Sequence, residues 1–163
     1  MRKILFILVF AITFYLIEFV LFNTFGIWFK PNLLLLLVIF SNFAFGIRFS
    51  IIAAILAGMI KDSFSTGIFG INFLSFIICA YLVTFLMRFI HVRGRAAQRL
   101  LLVFYIVSAN VFLQYCFYSI FIKTHPGIVF RSVLLPELLT TLIVANTTIR
   151  FLKICVSRLF VFL

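Results

Sequence analysis

The chain has 163 residues, of which 66% are hydrophobic and 10% charged, with 14 Lys and Arg against three acids. Soluble domains carry about 25% charged residues, so this composition excludes an ordinary globular protein and predicts an all-α integral membrane protein. The basic side chains flank apolar stretches, which argues against a nucleic-acid interface and favours a role in membrane topology.

The first predicted span covers residues 4–22 and follows Arg2 and Lys3. Its apolar run exceeds the core of a signal peptide and no small-x-small cleavage site follows, so we expect it to be retained. Glu18 lies late in this span, where an acid is costly and therefore a candidate for an assembly role. Three alternatives are open for it: contact with water, a protonated carboxyl, or a hydrogen bond to another helix.

A helix needs about 20 residues to cross a bilayer. Residues 31–60 are therefore too many for one span and too few for two of ordinary length. The loop that follows the fourth span carries Arg88, Arg93, Arg95 and Arg99. The positive-inside rule makes this basic patch cytoplasmic, together with the N-terminus. An even number of spans must separate them, so we predict two short helices at 31–45 and 47–60, shielded by their neighbours.

Further spans are predicted at 68–87, 100–122 and 133–149, which gives one transmembrane domain, a six-helix polytopic bundle with two short helices. Both termini are then cytoplasmic, with ten of the 14 basic residues on that side. A five-span alternative would place the four arginines outside.

The segment between the third and fourth spans has the spacing Gly58-x-x-x-Asp62-x-x-x-x-Gly67-x-x-Gly70. Gly58 predicts close helix packing, and Gly67 and Gly70 permit backbone angles closed to other residues. Asp62 is a candidate cap for the next helix, with Lys61 as its local partner. The alternatives are a simple capped loop and a charge held at a close-packed turn.

Two other sets of polar residues lie in spans. Glu137 follows Pro136, which predicts the first turn of a helix rather than a proton relay. Asn110, Gln114 and Tyr118 are spaced by four and share one helix face. That face predicts interhelical hydrogen bonds, although a small-ligand cavity would show the same pattern.

Signals of catalysis are weak. His91 and His125 have no neighbouring nucleophile and acid, and the three cysteines stand singly. We therefore predict no enzyme, no metal and no cofactor.

Pro31 and Asn32 with the leucines after them, Gly46, and the spacing from Gly58 to Gly70 resemble the bacterial rod shape-determining MreD family. The resemblance implies a non-enzymatic scaffold of the cell-elongation machinery for peptidoglycan synthesis, in the cytoplasmic (inner) membrane. It implies binding to MreC and a complex with MreB, RodA and its transpeptidase. It also implies a bundle similar to the substrate-binding subunits of energy-coupling-factor transporters.

Relatives often carry Asp where this chain has Asn32, and a capping role survives that change. The basic patch adds anionic lipids as expected partners. The alternative function is a small-molecule-binding subunit of a membrane transporter, with Asn110, Gln114 and Tyr118 lining its cavity. A third is a lipid-handling protein that uses the basic patch.

Overall fold

The computed structural model describes residues 2–26, 29–64, 69–89, 96–121 and 134–161. These residues form six α-helices, in agreement with the all-helical prediction. Their bounds are α1 Arg2–Phe25, α2 Leu33–Phe45, α3 Ile47–Ser63, α4 Ile71–Phe89, α5 Ala96–Phe121 and α6 Leu135–Val161.

Four helices contain a segment long and apolar enough to cross a membrane: Lys3–Phe25, Ile71–Arg88, Leu100–Ile120 and Leu135–Ser157. Much of their apolar surface is exposed, including Leu5 and Val20 on α1 and Ile143 on α6. Soluble proteins rarely expose an apolar surface of this extent to water, whereas the same surface packs well against lipid chains. These helices indicate a membrane protein.

Helix α6 is longer than the predicted span, which ended at residue 149. The helix continues to Val161 through Arg150 and Lys153. No Pro or Gly interrupts the sequence there, and hydropathy marks where the apolar segment ends rather than where the helix ends.

The two short helices meet at the predicted turn. Helix α2 ends at Phe45, α3 begins at Ile47, and Gly46 between them has φ +86°, a left-handed angle that favours glycine. At about 1.5 Å per residue, α2 is about 20 Å long and α3 about 26 Å. The Ser50 hydroxyl donates to the Val38 carbonyl at 3.0 Å and fastens the pair.

Helix α2 is the centre of the bundle. All residues from Leu33 to Asn42 are buried, and the helix contacts each of the other five. Asn42 Nδ2 donates to the Ala80 carbonyl at 3.0 Å and to Thr84 Oγ1 at 2.8 Å. The shielding predicted for the short helices therefore holds for α2, whose backbone is surrounded by protein.

Contacts along the bundle show that the chain direction alternates. Phe6 packs against Phe45, and Phe10 against Phe151, with ring centroids 6.1 and 6.5 Å apart. The start of α1 thus lies beside the ends of α2 and α6. The opposite end holds the C-terminal parts of α1, α3 and α5 and the first turns of α2, α4 and α6. We call it the polar end because the buried charges lie there.

Candidate functional site

A layer of buried polar side chains joins the helices at the polar end. Its members come from α1, α3, α4, α5 and α6 and from the segment before α2, and each is at most partly exposed; they are Glu18, Asn32, Lys61, Asp62, Asn72, Gln114, Glu137 and Thr141. We call this set the polar layer. All three acids of the chain belong to it.

Asp62 accepts hydrogen bonds from the first turn of α4. Its Oδ2 accepts from the backbone N–H of Gly70 at 3.1 Å and of Phe73 at 2.9 Å. Its Oδ1 accepts from the backbone N–H of Asn72 at 3.2 Å and from Asn72 Nδ2 at 2.8 Å. The first N–H groups of a helix have no partner within the helix, and a carboxylate there also meets the positive end of the dipole. Asp62 at the end of α3 is thus the cap of α4, as the sequence predicted.

The glycines of the motif serve this junction in two ways. A Cβ atom at Gly58 would lie 2.5 Å from Phe73 Cα, so α3 and α4 pack too closely there for any side chain. Gly70 has φ +101°, which turns the chain into α4 beside the Asp62 carboxylate. Gly67 lies outside the described residues.

Asn72 extends the layer to α5. Gln114 Nε2 donates to Asn72 Oδ1 at 2.9 Å. Asn110, one turn earlier on the same face, is 1% exposed, and Cys79 Sγ lies 3.9 Å from its Oδ1. Tyr118, the third member of the predicted face, is half-buried. The bond from Gln114 is the interhelical hydrogen bond that the spacing predicted.

Glu18 accepts a hydrogen bond from the first turn of α2. Its Oε1 accepts from the backbone N–H of Leu34 at 2.9 Å, and the residue is 6% exposed. Its low exposure disfavours contact with water among the three alternatives for Glu18. The hydrogen bond to another helix is present, but its donor is backbone rather than a polar side chain.

Asn32 completes the start of α2. Its Oδ1 accepts from the backbone N–H of Leu35 at 3.1 Å, which is an ordinary N-cap. Its own N–H donates to Thr141 Oγ1 at 2.8 Å. Pro31 precedes it and is buried. The capping role expected for Asn32 is confirmed.

Glu137 binds two other helical segments. It lies in the first turn of α6, as predicted, and its Oε1 accepts from Asn32 Nδ2 at 2.6 Å and from Lys61 Nζ at 3.4 Å. The side chains of Lys61 and Glu137 are only 11% and 6% exposed. The prediction of Lys61 as partner of Asp62 is wrong, because α3 directs the ammonium to Glu137 while backbone N–H groups satisfy Asp62.

The three acids therefore share one arrangement, since each lies at the N-terminus of a different helix. Glu18 lies at α2, Asp62 at α4 and Glu137 at α6. Glu137 also contacts the Lys61 ammonium, so its carboxylate meets a full positive charge as well as the positive end of the α6 dipole. Removal of any one acid would leave buried N–H groups or an ammonium without a partner.

Sequence reasoning missed the partners of Lys61 and Thr141 in the layer. Lys61 is 76 residues from Glu137, and Thr141 is 109 residues from Asn32. One signal was present: Lys61 follows an apolar run late in α3. A buried ammonium there needs a carboxylate, and Asp62 does not supply it because Asp62 caps a helix.

The basic patch is described only in part. Arg88 is exposed at the end of α4, and Arg99 lies in the first turns of α5. Arg93 and Arg95 fall outside the described residues.

In the polar layer, carboxylates accept hydrogen bonds from backbone N–H groups, side-chain amides and an ammonium. Across the described ranges, no group of three or more His, Cys, Asp and Glu is placed to hold a metal ion. The bonds given above use the carboxylates of all three acids within the bundle.

Comparison with known families decides the identity. The family model for rod shape-determining protein MreD matches residues 1–158. The chain belongs to the MreD family. The match extends well beyond the segment from Pro31 to Gly70 and indicates a role in rod shape determination. No curated protein and no solved structure matches the chain significantly.

Membership of the MreD family and four long apolar helices agree on a membrane protein of the shape-determining class. The bundle of transporter substrate-binding subunits is without support, since no solved structure of that kind matches. The alternative function, a small-molecule-binding subunit of a transporter, is also without support. Gln114 is bonded to Asn72 and Asn110 is buried beside α4, so both pack between helices.

Proposed function

We propose that the chain is a non-enzymatic scaffold of the cell-elongation machinery in the cytoplasmic membrane, and that it binds MreC directly. The observation that carries this proposal is the use of all three acids at helix N-termini. Each carboxylate is held by hydrogen bonds within the bundle, and a scaffold needs a bundle of fixed shape. MreB, RodA and its transpeptidase are then the further members of the complex.

A fixed bundle leaves its outer apolar faces for partners and lipid. On α6 the outward stripe contains Ile143, Thr147, Phe151 and Ile154, all exposed and spaced by three or four residues. Helices associate in membranes through packing and through hydroxyl groups such as that of Thr147. We place the single span of MreC on this stripe.

Co-purification in mild detergent tests the proposal. The tagged full chain is co-expressed with MreC as wild type, as Thr147→Trp on α6 and as Leu16→Trp on the exposed face of α1. We expect MreC to be retained by the wild type and by Leu16→Trp, and to be lost with Thr147→Trp. Absence of MreC from the wild-type eluate would overturn the partner, and equal retention by all three would move its site away from α6.

The basic patch belongs to the same proposal. With both termini and the loop between α4 and α5 in the cytoplasm, Arg88 and its neighbours meet anionic lipid or cytoplasmic partners. Replacement of Arg88, Arg93, Arg95 and Arg99 by Gln should then weaken the binding of phosphatidylglycerol to the purified protein in mild detergent. Unchanged binding would remove this part of the proposal.

A further inference from the structure

A cavity of about 420 Å³ opens at the polar end between α1, the segment before α2 and the end of α3. This volume lies within the roughly 300–1,000 Å³ of small-molecule sites. Four of its lining side chains are aromatic: Tyr15, Phe19, Phe22 and Phe64. Glu18, Lys30 and Lys61 supply the charges.

The charged groups of the cavity differ in their direct partners. Lys61 is paired with Glu137, and Glu18 is satisfied by the N-terminus of α2. Lys30 Nζ lies 5.3 Å from the Phe22 ring centroid, and among the described residues no carboxylate forms an ion pair with it. Burial, and then the charge of Lys61, lower the pKa of Lys30. Glu137 and Glu18 attract the Lys30 ammonium without an ion pair, so a further anion can contact it directly.

The walls of the cavity point to an amphiphile rather than a small ion. Phe19 and Phe64 are 55% and 69% exposed, so the aromatic wall of the cavity is open at the surface of the bundle. Tyr15 stacks on Phe64 with ring centroids 4.7 Å apart and connects α1 to the end of α3. A chain that lies along these rings would leave its polar head beside Lys30.

We propose that this cavity is a binding site for an anionic phospholipid, with the headgroup phosphate at Lys30 and an acyl chain along the aromatic wall. The phosphate completes the charge of Lys30, and the chain covers apolar surface that the protein leaves open. The site lies at the end of the bundle opposite the basic patch. It is independent of the proposed binding of MreC.

Native mass spectrometry of the purified full chain tests the site. The protein is titrated with phosphatidylglycerol or with zwitterionic phosphatidylcholine, as wild type, Lys30→Gln and Lys30→Arg. Lys153→Gln, an exposed lysine at the other end of α6, is the matched control. We expect phosphatidylglycerol to bind more tightly than phosphatidylcholine, and Lys30→Gln to weaken it about tenfold, as for one charge-assisted hydrogen bond. Lys30→Arg and Lys153→Gln should bind as the wild type does.

A second variant separates the lipid from a free anion. Phe19→Ala removes part of the aromatic wall and should weaken phosphatidylglycerol while the charge of Lys30 remains. Inorganic phosphate in millimolar excess should not displace the lipid. Displacement by phosphate would overturn the lipid as occupant. Equal affinity for both lipids, or equal loss with Lys153→Gln, would overturn the site. If Lys30→Gln does not fold, the site is tested by the preference of the wild type for phosphatidylglycerol and by the affinity of Phe19→Ala.

Discussion

Asp62 and Asn72 are joined by two hydrogen bonds to the same oxygen, Asp62 Oδ1, one from the Asn72 backbone and one from its side-chain amide. The second bond fixes the orientation of the amide, so that Asn72 Oδ1 is presented to Gln114 Nε2. The cap of α4 therefore also sets the position of α5. A single carboxylate at the end of α3 organises three helices.

Asp62→Asn should destabilise the bundle although its shape is conserved. The new amide group would bring a donor toward the N–H groups of Gly70 and Phe73, which now donate to Oδ2. Each buried donor left without an acceptor costs about 1–3 kcal/mol. Thermal unfolding in detergent should show a clear decrease in the midpoint. Ser63→Ala is the control, because that exposed hydroxyl bonds only within its own helix, to Met59 O; a wild-type midpoint for Asp62→Asn would contradict this account.

Gly58→Ala separates helix propensity from packing. In a helix interior, alanine is more favourable than glycine by about 0.5–1 kcal/mol, so propensity alone predicts a more stable protein. The contact with the Phe73 backbone predicts the opposite, since the added Cβ has no space. We expect a lower unfolding midpoint for Gly58→Ala and a nearly unchanged one for Met59→Ala, whose side chain is 49% exposed. Stabilisation by Gly58→Ala would show that α3 and α4 are not in close contact.

Glu18 should be replaceable by glutamine but not by leucine. Glu18→Gln retains an oxygen that accepts from the Leu34 N–H, whereas Glu18→Leu leaves this buried N–H without an acceptor. The expected loss for Glu18→Leu is about 1–3 kcal/mol of unfolding free energy, with Glu18→Gln much closer to the wild type. Equal losses in the two variants would mean that the negative charge, rather than the hydrogen bond, is required.

Much of this architecture is encoded locally and was predicted from the sequence. Gly46 marks the turn between α2 and α3, Asn32 begins α2, and the spacing of Gly58 and Asp62 marks a close junction that ends in a cap. Each of these features depends on residues that are close in sequence, since Asn32 caps Leu35 and Asp62 caps the helix that follows its own, and backbone angle and capping decide them.

The partners within the polar layer were not predictable in the same way. Lys61 stands beside Asp62 in sequence, yet it pairs with Glu137 because the helix directs adjacent side chains about 100° apart. Glu18 binds a backbone N–H, and every residue carries one, so no residue type signals this partner. Such contacts depend on how the helices pack, which sequence periodicity alone does not determine.

A double-mutant cycle measures the coupling of Lys61 and Glu137. Lys61→Met leaves a carboxylate without its cation, and Glu137→Gln leaves a buried ammonium without its anion. Loss of one member of a buried pair costs up to about 3–5 kcal/mol, whereas removal of both charges is far less costly. We expect each single variant to unfold at a lower temperature, and the double variant to recover most of the loss. Additive losses would show that the two charges are not coupled.

Cell shape with the double variant Lys61→Met/Glu137→Gln is the most direct test of the central claim that these buried charges are architectural. The variant would replace the wild-type copy in a strain that depends on it for rod shape, with protein levels matched. If the charges serve only to hold the bundle together, the cells should be rods. Round cells, despite a stable double variant at wild-type abundance, would show that the charges themselves are required for function and would contradict the account.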